Sequence, residues 1–199
     1  MRFYTGAKCG FMVNQSELDF AIKALQAGKV IAYPTEAVYG VGCDPDNPQA
    51  IALLLQIKQR EKSKGLILIA ADFSQLRPYI DGSAITPEQQ QAMLASWPGP
   101  VTWVVPAKVG LTDWLTGQFS TIAIRVSDHP LVQQLCRAYG KPLTSTSANL
   151  SGQPACRQAT EVVAQLGTQL AAIIDAPTGG RANPSEIRDI RTGHIFRAG

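Results

Sequence analysis

Apolar residues recur along the chain with two spacings, and the two alternate from one end to the other. Spacings of three and four residues predict a helix that Ser16 caps and Gly28 ends. The same spacing predicts further helices at 48–58, 86–97, 130–139 and 161–166. Short apolar or β-branched runs predict strands at 30–33, 38–43, 66–70, 101–105, 121–126, 143–147, 171–175, 187–190 and 194–197.

Helices and strands are thus intermixed, without a linker or an internal repeat. A length of 199 residues suits one large domain. We therefore predict the α/β class, as a single domain with a mixed sheet and flanking helices.

The first predicted strand leads into polar residues and glycines. Pro34 removes a backbone donor and is expected to stop the strand, after which Thr35 and Glu36 supply a hydroxyl and a carboxylate. Gly40 and Gly42 then allow the backbone to bend or a ligand to come close. This order is typical of a ligand crevice in an α/β sheet. A buried strand followed by an ordinary loop is the alternative.

Two pairs of polar residues share a spacing of two. Lys58 and Arg60 come where the second helix ends, and Ser147 and Asn149 come where a strand ends. On extended chain such pairs project to one side, so two cations, a hydroxyl and an amide could cradle the phosphates and sugar of a nucleotide. Taken singly, each pair also fits a structural role, as a helix C-terminus or a turn.

Composition excludes several classes of function. The chain has 45% apolar residues, a net charge of only +3, four scattered cysteines and two histidines. It contains neither a P-loop nor a GxSxG motif, and neither a zinc site nor a Ser-His-Asp triad is expected. What remains suits chemistry by positioning and charge neutralisation, such as adenylyl transfer. With no signal peptide and no run of about 20 apolar residues, we expect a cytoplasmic protein without a membrane partner.

Seven segments, taken in order, resemble the motifs of the YrdC-like threonylcarbamoyl-AMP synthases, in their short, single-domain bacterial form. They are Tyr33-Pro34-Thr35-Glu36, Lys58-Gln59-Arg60, Trp97-Pro98-Gly99-Pro100, Ile124-Arg125-Val126, the run from Ser145 to Gly152, the run from Pro184 to Asp189, and Phe196-Arg197-Ala198-Gly199. The resemblance covers residues 16–199, which leaves residues 1–15 as an N-terminal extension.

The resemblance implies a twisted α/β sheet around a large basic cavity. It implies an enzyme that makes threonylcarbamoyl-AMP and pyrophosphate from L-threonine, bicarbonate or carbon dioxide, and ATP. Mg²⁺ is expected to accompany ATP, without a dedicated set of protein ligands. The product would serve the transferase complex that makes threonylcarbamoyladenosine at A37 of tRNAs reading ANN codons, and weak RNA binding is also expected.

The resemblance also assigns roles to residues. It implies that Lys58 and Arg60 are catalytic. Residues expected to bind ATP are Lys58, Arg60, Ser147, Asn149, Ser151 and Arg197. Residues expected to bind threonine are Thr35, Thr121, Ser145 and Ser185, with Val38 and Ile124 as apolar walls. No residue is expected to bind a metal.

One segment departs from the pattern of the long, two-domain relatives. Those often carry Asn-Pro-Leu and a nearby His where this chain has Lys64-Gly65-Leu66-Ile67. The contacts to the threonine carboxylate on this side therefore stay open. Two other functions also stay open: a non-enzymatic module for double-stranded or ribosomal RNA, and an enzyme that forms carbamoyl-adenylate from carbamoyl phosphate.

Overall fold

The computed structural model describes residues 14–199, in which one mixed sheet of nine strands carries helices on both faces. The strands are β1 (Ile31–Pro34), β2 (Tyr39–Gly42), β3 (Ile67–Ala70), β4 (Val101–Pro106), β5 (Thr121–Val126), β6 (Leu143–Ser147), β7 (Ala172–Ile173), β8 (Glu186–Asp189) and β9 (Ile195–Arg197). The α-helices are α1 (Gln15–Gln26), α2 (Pro48–Lys58), α3 (Pro87–Ala95), α4 (Asp113–Thr116), α5 (Pro130–Tyr139) and α6 (Ala159–Leu166). The predicted α/β fold with a mixed sheet is confirmed.

The strand order is β7-β1-β2-β6-β3-β5-β4-β8-β9. Strands β1 and β2 form an antiparallel hairpin, whereas β3 and β5, and β4 and β8, pair in parallel. Strand β6 joins the two halves, because it pairs with β2 on one side and with β3 on the other. Strands from distant parts of the sequence therefore meet in the middle of the sheet.

Each face of the sheet has its own apolar core. On one face, α1 and α5 pack on Ile31, Ile69 and Leu143. On the other face, α2 and α6 pack on Leu68, Ile124 and their neighbours. Successive side chains of a strand alternate between the faces, so the register fixes which residues share a face.

Several element boundaries differ from the predicted ones. Asn14, not Ser16, caps α1, because its side chain accepts a hydrogen bond from the backbone N–H of Ser16. Strand β1 includes Pro34, which is opposite Tyr39 and needs no donor for this pairing. Helix α3 ends at Ala95, two residues before the predicted end.

Two further differences concern short elements. The short helix α4 was not predicted, because four residues show no helical period. Strand β7 has only two residues, although the apolar run at 171–175 predicts five.

The predicted N-terminal extension, residues 1–15, lies outside the described residues except for its last two, which cap and begin α1. Of the described helices, none is long and apolar enough to cross a membrane.

Candidate functional site

A cavity of about 480 Å³ lies on the face of the sheet that carries α1 and α5, at the end that these helices leave uncovered. Register places its floor residues side by side: Gly40 is opposite Ser147, and Ile67 is opposite both Ser145 and Ala123. All five line the cavity. Its volume is in the usual range for small-molecule sites.

Hydroxyl groups converge on one wall of the cavity. Thr35 and Ser145 are both buried and come together at Gly40, where a β-carbon would lie 3.3 Å from Ser145 Oγ and 3.3 Å from Thr35 Cγ2. Thr35 Oγ1 donates to the carbonyl of Val38 at 2.8 Å, which fixes its side chain. Thr121 lines the same cavity from β5. Together with Ser185, which is described below, all four residues expected to bind threonine line this cavity.

Gly42, the other glycine of β2, has a structural role. A β-carbon there would lie 1.9 Å from the carbonyl oxygen of Thr144 and 2.9 Å from the hydroxyl of Tyr33. Only glycine allows this close packing of β2 against β6, so Gly42 lets the backbone, not a ligand, come close.

The described residues that line the cavity include four cations and no carboxylate: Arg60, Lys64, Arg125 and Arg197. Arg60 is half-buried, and its guanidinium donates to the carbonyl of Gly65 at 3.0 Å. Lys64 belongs to the segment 64–67, in which the sequence differs from the two-domain relatives, and its side chain is exposed. The lining therefore suits an anionic ligand, and the predicted basic cavity is present.

Lys58 differs from Arg60, because it does not line the cavity. Only 5% of Lys58 is exposed, and its ammonium donates to Ser147 O at 2.6 Å, to Asn149 Oδ1 at 3.0 Å and to the carbonyl of Asn149. Asn149 Oδ1 also accepts a hydrogen bond from Ser147 Oγ at 2.6 Å. Lys58, Ser147 and Asn149 therefore form one hydrogen-bonded cluster beside the cavity. Of these three residues, only Ser147 lines the cavity.

The environment of Lys58 disfavours its charged form. Burial, and secondarily the nearby charge of Arg60, lowers the pKa of Lys58 from 10.5 to about 8. Its oxygen partners carry no formal charge, so they do not outweigh this loss of hydration.

Ser185 and Arg197 form a third group at the edge of the cavity. Ser185 is buried, with its Oγ 2.9 Å from Thr102 Oγ1. The guanidinium of Arg197 donates to the carbonyl of Ser185 at 2.6 and 3.0 Å and to its Oγ at 3.2 Å. Arg197 therefore links the β8–β9 hairpin to the segment that carries Ser185.

Two expected residues lie elsewhere. Ser151 is exposed in the turn after Asn149 and does not line the cavity. Ile124 was expected to form an apolar wall together with Val38, but it lies in the core of the opposite face. The alternation along β5 places its neighbours Ala123 and Arg125 on the cavity side instead, and Val38 does line the cavity.

Sequence reasoning gave no role to Arg125, although this residue was part of a recognised motif. Its guanidinium Nη1 lies 3.2 Å from Glu36 Oε2, and both residues are buried. Ser127 Oγ donates to Glu36 Oε1 at 2.7 Å. The available signal was a single charged residue within the apolar strand at 121–126, since such charges are seldom buried without a partner.

Residues 177–185, which we call the strap, cross the outside of the turn between β1 and β2. Gly179 N–H donates to Thr35 O, and Arg181 N–H donates to Glu36 O, each at 3.0 Å. Arg157 donates to the carbonyls of Ala37 and Arg181 on the two sides of this contact. The strap therefore fixes the backbone of the turn that carries Thr35 and Glu36.

Among residues 14–199 no group of three or more His, Cys, Asp or Glu side chains could hold a metal ion. The donors around the cavity are hydroxyls and cations, which do not match the oxygen-rich shell that Mg²⁺ requires.

The family model for Sua5, YciO and YrdC, described as telomere recombination, matches residues 23–199. A protein from Vibrio campbellii named threonylcarbamoyl-AMP synthase is 61% identical over 178 residues, which are 89% of this chain and 96% of that protein.

Two solved structures resemble the fold. P. abyssi Sua5, complexed with L-threonine, superposes with a TM-score of 0.83 and 28% identity, and the match covers 89% of this chain and 52% of that one. The chain thus spans about half the length of P. abyssi Sua5. E. coli YciO matches with a TM-score of 0.80 and 25% identity over 92% of this chain and 89% of that one.

Proposed function

The chain belongs to the Sua5/YciO/YrdC family, and on that premise we propose that it joins L-threonine, bicarbonate or carbon dioxide, and ATP into threonylcarbamoyl-AMP, with release of pyrophosphate. The enzyme class follows from the relative that is 61% identical and named threonylcarbamoyl-AMP synthase. The substrates are the part that we propose, and the threonine bound to P. abyssi Sua5 supports the amino acid.

One observation supports this function above the others: a single cavity holds both a wall of hydroxyls and a set of cations. Thr35 and Ser145 can exchange hydrogen bonds with the hydroxyl and the amine of threonine. Arg125 lies on the same face of the sheet and suits the carboxylate, while Arg60 and Arg197 suit the phosphates. An amino acid and a nucleotide can therefore lie side by side.

The reaction requires no nucleophilic side chain. The amine of threonine adds to carbon dioxide and gives a carbamate, losing a proton to solvent. A carbamate oxygen attacks the α-phosphorus of ATP, the bond from that phosphorus to the bridging oxygen breaks, and pyrophosphate leaves. The protein acts by holding the two reactants in line and offsetting the negative charge that develops.

Arg60 and the cluster around Lys58 are suited to offsetting this negative charge. Arg60 reaches the cavity directly, whereas Lys58 holds the segment that carries Ser147 and Asn149. We propose that the phosphates of ATP lie between them. Mg²⁺ would arrive on those phosphates, since the described lining offers it no carboxylate.

The product is a mixed anhydride of a carbamic acid and AMP, which reacts readily with nucleophiles. We propose that it passes to the transferase complex that forms threonylcarbamoyladenosine at A37 of tRNAs reading ANN codons. The modest net charge of +3 supports at most weak RNA binding by this chain alone.

Release of pyrophosphate with each substrate omitted in turn tests this proposal. Release should require L-threonine, bicarbonate and ATP together. Turnover without any amino acid, or with carbamoyl phosphate in its place, would favour the carbamoyl-transfer alternative. Binding of RNA without any pyrophosphate release would favour the RNA module.

A further inference from the structure

Behind the lining of the cavity, Glu36 forms a buried ion pair with Arg125 that the reaction above leaves without a role. We propose that Glu36 is a positioning residue, which holds the guanidinium of Arg125 in the orientation that binds the carboxylate of the amino-acid substrate. This inference rests on the proposed function, because it takes L-threonine to be that substrate.

The burial of the pair indicates a fixed geometry. Only 3% of Glu36 and 7% of Arg125 are exposed, and the two charged groups are 3.2 Å apart. Arg125 lines the cavity, whereas Glu36 does not. The carboxylate therefore stands behind the guanidinium and leaves another side of it toward the substrate.

Ser127 fixes the carboxylate from a second direction. Its Oγ accepts a hydrogen bond from the backbone N–H of His129 at 3.1 Å, so its single proton is available for Glu36 Oε1, 2.7 Å away. Gln133 also donates to the carbonyl of Ser127 at 2.8 Å. Because the direction of the Ser127 hydrogen bond is fixed, it favours an acceptor oxygen at Glu36.

The strap fixes the backbone of Glu36 from outside. Arg181 N–H donates to Glu36 O at 3.0 Å, and a β-carbon at Gly179 would lie 3.0 Å from both Cα and O of Glu36. The strap is in turn held by the ion pair of Arg181 with Asp128. Glu36 is thus restrained at both its backbone and its side chain.

Orientation matters because a guanidinium is planar. Its donors match a carboxylate in a bidentate pair only when the two planes coincide. Glu36 Oε2 attracts Arg125 Nη1 as an ion contact without hydrogen-bond geometry, and this attraction favours one plane for the guanidinium. An amide in place of the Glu36 carboxylate would turn an N–H₂ group or a weaker acceptor toward the guanidinium and would release that plane.

The test compares Glu36→Gln with Asp46→Asn as a matched control. Asp46 also faces one cation and one hydroxyl, Lys141 at 3.0 Å and Tyr79 at 2.9 Å, but none of these residues lines the cavity. Two ligands are titrated into each protein: L-threonine, and L-threoninol, in which an alcohol replaces the carboxylate. Steady-state pyrophosphate release gives KM for threonine and for ATP.

We expect Glu36→Gln to weaken threonine binding and to raise the threonine KM by about tenfold, while the ATP KM changes less than about twofold. Threoninol affinity should stay constant, so the preference for threonine over threoninol falls by the same factor. Ser127→Ala should change this preference in the same direction by a smaller factor. This variant replaces Glu36→Gln in the test if Glu36→Gln fails to fold. Asp46→Asn should leave every value unchanged.

An equal loss of affinity for threonine and threoninol would overturn the inference, as would a fall in kcat with an unchanged threonine KM. Threonine binding that resists both Glu36→Gln and Ser127→Ala would also overturn it, but would leave the proposed function intact. If the unaltered protein binds no threonine, the proposed function itself fails.

Discussion

The two ends of the β1–β2 hairpin carry clusters built from the same groups, a carboxylate, a cation and a hydroxyl. At the turn end, Glu36 meets Arg125 and Ser127, and all three are buried. The open end leads to a cluster in which Asp46 meets Lys141 and Tyr79, and Lys141 also pairs with Asp44. The similar groups at the two ends allow burial and access to the cavity to be compared.

The charged groups at the open end face solvent. The side chain of Asp46 is 53% exposed and that of Lys141 is 35% exposed, so water screens their attraction. At the turn end the strap covers the backbone, and the cavity is the direction in which a ligand can reach the guanidinium. The two salt bridges thus differ in burial and in access to the cavity, and only the buried one is a candidate for a role in ligand binding.

The largest effect is expected when the ion pair at the turn end is broken. Arg125→Met leaves a buried carboxylate without its cation, and we expect the free energy of unfolding in urea to fall by about 3–5 kcal/mol. Lys141→Met, at the open end, should cost less than about 1 kcal/mol. The double variant Glu36→Leu/Arg125→Met should regain much of the stability but none of the activity. Equal losses at the two ends would contradict the comparison.

A second variant pair tests the two cations that we propose to serve the phosphates of ATP. We expect Arg60→Ala and Lys58→Ala to lower the rate of adenylate formation about a hundredfold, on the order of 3 kcal/mol of transition-state stabilisation. Lys141→Ala should not change the rate. Arg60→Ala should keep its melting temperature, whereas Lys58→Ala should lower it, because Lys58 is buried and binds three oxygens. An unchanged rate for Arg60→Ala would remove it from the site.

Substrate choice tests the hydroxyl wall at the same end of the hairpin. Serine lacks only the methyl group of threonine, so its kcat/KM should be about 10–200-fold lower. Valine keeps the shape but cannot pair with Thr35 or Ser145, and it should fall to background. The measurement is bicarbonate-dependent pyrophosphate release. A valine rate equal to the serine rate would show that the wall does not recognise the hydroxyl.

The smallest effect is a difference in pH dependence between two lysines. The pKa of Lys58 is lowered to about 8, chiefly by burial. Between pH 8 and 10.5 the unfolded chain therefore binds more protons than the folded one, and the free energy of unfolding should rise with pH over that window. The pKa of Lys141 is raised, because hydrogen bonds to Asp46 and Asp44 outweigh its burial, so its contribution should be lost as pH rises above 10.5. Urea unfolding of Lys58→Met and Lys141→Met between pH 7 and 11 should change these slopes in opposite senses.

Most elements could be predicted from local pattern, and the failures were local too. Pro34 was expected to stop β1 because proline lacks a donor, and the strand does end there; it includes Pro34 itself because the antiparallel partner Tyr39 needs no donor from it. Helix α4 was missed because four residues are too few to show a period. Strand pairing is set by contacts between distant residues, so the strand order could not be read from any single segment.

The candidate site was predicted less completely. The polar residues after the first strand pointed to Thr35, and the spaced pairs pointed to Arg60 and Ser147; all three line the cavity. The spacing of Lys58 and Arg60 suggested equal access, yet the helix ends at Lys58, and Gln59 turns left-handed with φ of 48° before Arg60. Arg125 gave a local signal, as one charge within an apolar strand, but its partner Glu36 is far away in sequence, so the pattern could not identify the contact.

The strap also has a consequence for the order of assembly. It runs from β7, which pairs with β1 at one end of the sheet, to β8, which pairs with β4 near the other end. These pairings join residues that are far apart in the chain, and such contacts form late because long loops must close first. A nascent chain that ends before residue 177 can form the β1–β2 hairpin but cannot cover its turn. We therefore expect the binding site to be completed only after residues 177–199 have been synthesised.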